Sequence, residues 1–158
     1  MTDGYSIREA TVADAGTITD HRRSMFADMG EGDVNRRDAV GFASRPWLEE
    51  KLSAGKYLGW LAIAPDQSVA AGAGIWVIEW PPTITDLSGR RGMLLNVYTQ
   101  PPHRRRGLAR ALVETSLRWC QTNGITVVIL HASDEGRPLY ETVGFKPTNE
   151  MRLLLRGQ

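Results

Sequence analysis

The sequence predicts an α/β (α+β) fold, a mixed and mostly antiparallel sheet of about six to seven strands with a central parallel β-α-β unit and helices on both faces. Two observations lead to this prediction. Two apolar runs, 57–64 and 68–78, flank the turn residues 65–67 (PDQ), a pattern typical of an antiparallel hairpin. Farther along, an amphipathic helix joins two apolar runs, 93–99 and 125–130, which is typical of a parallel pair.

Before the hairpin, the sequence predicts one strand and two helices. Residues 5–9 alternate as a short strand, and Thr11 with Asp14 resembles a capping box that opens the first helix. We expect the second helix from about residue 38 to residue 51, broken at Pro46, because proline lacks the amide hydrogen that a helix interior needs.

The helix between the two parallel strands has the clearest periodicity in the chain. Its apolar stripe follows the spacing i, i+3, i+4, i+7, i+8, i+11 and consists of Ala109, Leu112, Val113, Ser116, Leu117 and Cys120. Glu114 and Arg118 lie on the opposite face, spaced for an i,i+4 ion pair. The next run, 125–130 (ITVVIL), is apolar throughout, so we expect a strand covered on both faces.

The C-terminal part predicts the rest of the sheet. Residues 135–143 predict a short helix, and 145–155 is long enough for two final short strands. No repeat, low-complexity tract or long linker interrupts the sequence, which therefore predicts a single domain over 1–158.

Composition excludes several classes of function. The formal net charge is +1, so no global field favours nucleic acid or a membrane surface. Cys120 is the single cysteine, which rules out an internal disulfide and is typical of a reducing compartment. No run approaches the ~20 apolar residues of a membrane span, and no secretory signal pattern is present. We therefore expect a cytoplasmic protein.

A basic turn precedes the amphipathic helix, where residues 103–109 are HRRRGLA. A helix N-terminus presents free N–H groups and a partial positive charge, which suits a phosphate. Gly107 lets the backbone approach a ligand, and the nearby arginines add charge. A solvated face and a nucleic-acid patch are the alternatives, but a tight turn beside glycine in a chain of near-zero net charge favours phosphate binding.

This turn resembles the acetyl-CoA signature of the GNAT superfamily of N-acetyltransferases, Arg/Gln-x-x-Gly-x-Gly/Ala, at Arg104, Gly107 and Ala109. A second segment, Leu139 to Phe145, resembles the LYExxGF of the same family. The predicted order of elements is similar to the family fold over nearly the whole chain. The resemblance implies an enzyme that transfers acetyl from acetyl-CoA to an amine and releases CoA.

The resemblance also implies where acetyl-CoA binds. The pantetheine arm would pair with the backbone of Val97, Tyr98 and Thr99, where that strand splays from the next. The pyrophosphate would lie on the turn and first helical residues, namely Arg104, Arg105, Arg106, Gly107, Leu108, Ala109 and Arg110. Arg105 stands where glycine is common in the family. Ser133 stands where many members carry asparagine, and its hydroxyl can make one such hydrogen bond.

Acetyl transfer needs a neutral amine, a polarised carbonyl and a proton for the leaving thiolate. The resemblance makes Tyr140 the general acid, since a phenol of pKa about 10 can protonate a thiolate whose conjugate acid has a pKa of about 8.5. The alternative is that Tyr140 only packs in the core beside Phe145. Glu79 is the first candidate base, Asn96 a candidate for orienting the substrate, and His131 a third candidate. No side-chain cluster has metal-ligand spacing, so we predict no metal.

The acceptor is less defined by the sequence. In the family, segments corresponding to residues 22–47 and 80–92 wall the acceptor site, and both a small-molecule amine and a peptide amine fit. The tryptophan-rich strands fit a homodimer interface and a buried core equally. A non-catalytic acetyl-CoA-binding sensor is the main alternative to an enzyme. A nucleic-acid-binding domain is the third, disfavoured because Tyr98 is the only aromatic close in sequence to the arginines.

Overall fold

The computed structural model describes residues 4–156, which build a five-stranded mixed sheet. The strands lie side by side in chain order: β1 (Ser6–Glu9), β2 (Tyr57–Ile63), β3 (Val69–Glu79), β4 (Arg90–Thr99) and β5 (Val128–Ile129). Pairing is antiparallel from β1 to β4, and β5 runs parallel to β4. The helices are α1 (Ala15–Asp28), α2 (Val34–Ser53), α3 (Leu108–Thr122) and α4 (Arg137–Thr142). The predicted fold class is confirmed.

Helices cover both faces of the sheet, as predicted. On one face, Ile18 of α1 and Leu48 of α2 pack against Leu61 of β2. On the other face, Leu112 and Val113 of α3 belong to a core that includes alternate residues of the same strand. Side chains alternate between the two faces of a strand, so β2 supplies residues to both cores.

Helix α2 departs from its predicted bounds and is not broken. It begins at Val34, after Asp33 accepts a hydrogen bond from the backbone N–H of Arg36, and Pro46 lies inside it. Proline leaves the carbonyl four residues earlier, that of Phe42, without its helical donor. Phe42 is exposed, so water can replace that donor, and the expected break at Pro46 was wrong.

Helix α3 confirms its predicted apolar stripe but not its predicted ion pair. Leu112, Val113 and Cys120 are at most 1% exposed. Glu114 pairs with Arg110, Nε to Oε1 at 3.0 Å, rather than with Arg118. Both pairings have the i,i+4 spacing that a helix favours, so spacing alone does not choose the partner.

The C-terminal strands are the main correction. Only Val128 and Ile129 of the run 125–130 pair with β4, and residues 127–130 are half-buried rather than covered on both faces. Residues 145–155 form no strand, so the sheet has five strands and not the expected six to seven. Pro147 has no amide hydrogen to donate to a strand ladder, which disfavours a strand there. Among residues 4–156, no helix is long and apolar enough to cross a membrane.

Candidate active site

Strand β4 is irregular on one side and open on the other. Opposite β3, Leu95 pairs with Gly74 and Tyr98 pairs with Gly72. Strand β4 therefore has two residues where β3 has one, which defines a β-bulge. Asn96 lies in this bulge with a φ of 57°. Towards β5, pairing stops after Met93, so within the described residues the part of β4 from 94 to 99 has no strand partner on that side. The predicted pantetheine residues 97–99 lie along this open edge.

The basic turn joins β4 to α3 through two left-handed residues. Arg105 has a φ of 61° and Gly107, which caps α3, has a φ of 75°. A Cβ placed on Gly107 would meet no atom within 4 Å, so the N-terminus of α3 is open to solvent. Arg105 and Arg106 are exposed beside it. The arrangement combines helix N–H groups, positive charge and free space, as an anion requires.

Arg104 ties this turn to the other elements. Its Nε donates to the carbonyl of Thr99 at 2.9 Å, and its Nη2 lies 2.7 Å from Oδ2 of Asp28 on α1. Its guanidinium also lies over the ring of Tyr98, 5.6 Å from the ring centroid. These contacts fix the turn relative to the end of β4, so the observed role of Arg104 is to position the turn.

Helix α4 packs beside the same turn and carries Tyr140. Arg110 Nη1 donates to Thr142 Oγ1 at 3.1 Å, which joins the first turns of α3 to α4. The Tyr140 ring meets Phe145 edge-on at a centroid distance of 6.0 Å. Burial raises the pKa of Tyr140, so its phenol stays protonated and able to donate. Ser133 Oγ accepts the backbone N–H of Gly136 at 3.1 Å, which orders the start of α4.

On the opposite side of β4, Asn96 belongs to a buried polar cluster with Arg22 of α1 and Tyr57 of β2. Arg22 Nη1 donates to Asn96 Oδ1 at 2.8 Å, and Asn96 Nδ2 donates to the Tyr57 hydroxyl at 3.0 Å. Asn96 is 4% and Tyr57 1% exposed. Burial raises the pKa of Tyr57 to about 12 and lowers the pKa of Arg22. Within residues 4–156, no carboxylate forms an ion pair with Arg22.

Arg22, Tyr57 and the buried His21 were not predicted from the sequence. Burial lowers the pKa of His21, whose ring packs 5.3 Å from that of Tyr98. One signal was available, since Arg22 follows Ile18 by four residues and so shares the inward stripe of α1. A charged residue on an apolar stripe indicates a buried polar contact.

The remaining candidates lie elsewhere. Glu79 is exposed at the end of β3, opposite Arg90. It is five residues along the strand from Gly74, roughly 17 Å from the bulge. His131 is exposed and bonded to Glu150, Nε2 to Oε2 at 2.6 Å. The structure therefore does not bring Glu79 together with Asn96.

Comparisons with known proteins bear on this site. Residues 20–145 match the model of the Acetyltransferase (GNAT) family. A human protein, N-acetyltransferase 8, is 30% identical over 93 residues, a match that covers 50% of this chain. The same match covers only 41% of the human protein, so the chain spans less than half of that relative.

Solved structures share the whole architecture. A GCN5-related N-acetyltransferase from Ralstonia eutropha superposes with a TM-score of 0.92 at 35% identity, covering 98% of this chain and all of the other. A predicted acetyltransferase from Clostridium acetobutylicum, whose structure includes acetyl-CoA, superposes with a TM-score of 0.83 at 28% identity. That superposition covers 95% of each chain.

Proposed function

Because this acyltransferase belongs to the GNAT acetyltransferase family, we propose that it transfers acetyl from acetyl-CoA directly to an amine. The observation that carries the proposal is the open N-terminus of α3, capped by Gly107 and flanked by exposed arginines. The Clostridium acetobutylicum relative with acetyl-CoA supports the same cosubstrate.

The residues around this helix end fit acetyl-CoA in two parts. Backbone N–H groups of residues 105–110 would hold the pyrophosphate, with Arg105 and Arg106 adding positive charge. The open edge of β4 at Val97–Thr99 offers backbone donors and acceptors to the amide-containing pantetheine arm. When bound, acetyl-CoA supplies an activated thioester, and the protein supplies orientation and protons.

Tyr140 would supply the proton that the leaving thiol needs. Its pKa is raised by burial, and its hydroxyl has no protein hydrogen-bond partner within residues 4–156, which leaves the proton available. Ser133, which bonds Gly136 just before α4, stays a candidate contact to the cosubstrate. The general base is not identified by this geometry: Glu79 stays a prediction, and an amine near its own pKa needs only a proton path to water.

The acceptor would enter from the side of α1 and α2, where Asn96 and Arg22 line the bulge. A small-molecule or peptide amine is the class we propose, without nucleic acid or membrane as partner. The orienting role of Asn96 would be indirect: its buried amide is already bonded to Arg22 and Tyr57, so it would hold the bulge that the acceptor approaches. We also infer a cytoplasmic location, on the basis of the single cysteine alone.

The binding test compares two nearly isosteric variants at the helix cap, Gly107→Asn and Gly107→Asp. Both residues tolerate the left-handed conformation and cap helix N-termini, so both should fold. They differ by one negative charge beside the proposed pyrophosphate. By calorimetry, we expect Gly107→Asn to bind acetyl-CoA within a few-fold of wild type and Gly107→Asp to bind at least about 10-fold more weakly, or about 1.4 kcal/mol.

The outcomes separate the parts of the proposal. Equal affinities of the two variants would exclude the turn as the pyrophosphate site. No binding by folded wild type would overturn the use of acetyl-CoA. Binding without release of CoA thiol in the presence of any member of a panel of small amines and peptides would instead support the acetyl-CoA sensor.

A further inference from the structure

Arg22 of α1 is a half-buried cation without a counter-ion. Within residues 4–156 it forms no ion pair, whereas its neighbour Arg23 pairs with both Asp20 and Asp38. Burial lowers the pKa of Arg22, so the fold desolvates this charge without neutralising it. Charges taken out of water are usually paired. The surroundings of Arg22 therefore suit an anion that the chain itself does not supply.

The Arg22 guanidinium is held in place with donors left over. Its Nε donates to Ser44 Oγ of α2 at 3.2 Å, and its Nη1 donates to Asn96 Oδ1 at 2.8 Å. Its Cζ lies 5.3 Å from the centroid of the Phe26 ring. Within residues 4–156, Nη2 makes no hydrogen bond. The two terminal nitrogens of a guanidinium form a planar fork that fits a carboxylate, so Arg22 is oriented for one before any ligand arrives.

This guanidinium lies close to the place where the thioester is proposed to react. Its partner Asn96 lies in the bulge of β4, shortly beyond Met93, the last residue of β4 that pairs with β5. One asparagine side chain and one hydrogen bond therefore separate the guanidinium from the bulge backbone. An amine at the open edge of β4 and an anion on Arg22 would be joined by only a few covalent bonds, as in a small amino acid.

The surroundings of Arg22 increase the strength of a charge pair. Trp47 lies one helical turn after Ser44 on α2, and its ring meets that of Trp76 edge-on at a centroid distance of 5.4 Å. Leu95 packs into the same apolar cluster. An ion pair beside such groups is screened less than an ion pair in water. An acceptor without an anion would leave Arg22 unpaired, so the site can discriminate against it.

We propose that Arg22 binds a carboxylate of the acceptor, so that the amine to be acetylated belongs to an amino acid or to a peptide with a nearby carboxylate. This inference rests on the proposed acetyl transfer and names the class of acceptor. Both terminal nitrogens of Arg22 would donate to the carboxylate oxygens, while the amine faces the open edge of β4. Asn96 and Ser44 would act as positioning residues that hold the guanidinium.

The first test compares acetylated acids with the corresponding carboxamides, because an acetylated nitrogen is uncharged in both. The probes are N-acetylglycine, N-acetylphenylalanine, N-acetyl-γ-aminobutanoate and N-acetylglycylglycine, each with its carboxamide. They are titrated by calorimetry into the full chain with CoA bound. For at least one pair, we expect the acid to bind at least about 10-fold more tightly than the carboxamide. The pair that shows this difference distinguishes a free amino acid from a peptide. Equal affinities in every pair, or no binding by any probe, overturn the proposal.

Two adjacent arginines supply the variant and its matched control. Arg22→Gln keeps a donor for Asn96 but removes the charge, and Arg23→Gln removes the same charge one residue away, where carboxylates already neutralise it. The acid preference should fall to less than about 2-fold in Arg22→Gln and stay within about 2-fold of wild type in Arg23→Gln. If Arg22 only held Asn96, its loss would weaken acids and carboxamides alike, and the unchanged preference would overturn the proposal. If Arg22→Gln does not fold, the wild-type comparison alone decides.

Kinetics separate this inference from the proposed function. With acetyl-CoA, Arg22→Gln should raise KM for the preferred acid at least about 10-fold, while kcat/KM for its carboxamide changes less than about 3-fold. An equal loss of kcat/KM for acid and carboxamide would contradict the assignment of Arg22. Folded wild type that binds neither CoA nor acetyl-CoA contradicts the proposed function, and this inference fails with it. Acetyl transfer that does not distinguish acids from carboxamides contradicts this inference alone.

Discussion

The two sides of β4 hold their polar groups in opposite ways. On the α3 side, the turn from Arg104 to Gly107 is exposed, and its backbone is set by left-handed residues at Arg105 and Gly107. On the α1 and α2 side, Arg22, Asn96 and Tyr57 are joined by side-chain hydrogen bonds between residues 74 and 39 positions apart. The exposed turn can receive an anion without rearranging. In the buried cluster, the side chains are hydrogen-bonded to one another, and these bonds hold the bulge in place.

Two tyrosines allow this contrast to be tested, since each change to phenylalanine removes one hydroxyl from one side. The largest effect is expected for Tyr140→Phe. Because a positioned general acid contributes 10²–10⁴-fold, we expect kcat to fall about 100-fold. The hydroxyl has no hydrogen bond within residues 4–156, so the free energy of unfolding should change by less than about 0.5 kcal/mol. CoA release and urea unfolding measure the two quantities.

The pH dependence supplies the check on Tyr140→Phe. Burial raises the pKa of Tyr140, so the phenol is protonated throughout neutral and mildly alkaline solution. The ratio of wild-type to variant kcat should therefore stay constant between about pH 7 and about pH 9. A ratio that collapses towards one in that interval would contradict a donor of raised pKa, and an unchanged kcat would make Tyr140 a packing residue.

Tyr57→Phe should show the reverse pattern. Its hydroxyl accepts from Asn96 Nδ2 in a fully buried position, so the change leaves a buried amide donor unpaired. We expect the free energy of unfolding to fall by about 1–2 kcal/mol, with kcat reduced by less than about 10-fold. Urea unfolding checks the first value. An unchanged free energy of unfolding with a strongly reduced kcat would mean that Tyr57 acts in the reaction. The buried cluster would then not be a purely structural counterpart of the exposed turn.

The same contrast explains what the sequence could and could not predict. The turn was predictable because its determinants are adjacent: Gly107, the arginines beside it and the apolar stripe of α3 all lie within one short stretch. The buried cluster was not, since Asn96 meets Arg22 and Tyr57 only after the sheet and α1 are assembled. Glu79 was the first candidate base because it stands between Ile78 and Trp80, but the structure leaves this strand end exposed and far from the bulge.

Element boundaries show the same limit. Pro46 indicated a broken helix, yet α2 continues through it, at a point where Phe42, the residue that loses its helical donor, is exposed. The run 145–155 has strand-like composition, but a strand also needs a partner, and this run pairs with none of the five strands. Local composition predicts what a segment can form, and its neighbours decide what it does form.

The smallest effect is expected at Arg105, where the left-handed backbone of the exposed turn lowers the stability of the fold. A non-glycine residue at a φ of 61° is disfavoured, so Arg105→Gly relieves strain that Arg105→Ala retains. Both variants lose the same charge, and acetyl-CoA affinity should fall by the same few-fold in each. We expect Arg105→Gly to be about 1 kcal/mol more stable than Arg105→Ala in urea unfolding. Equal stability would mean that the turn relaxes around Arg105, and unequal affinities would mean that its backbone conformation, and not only its charge, contributes to binding.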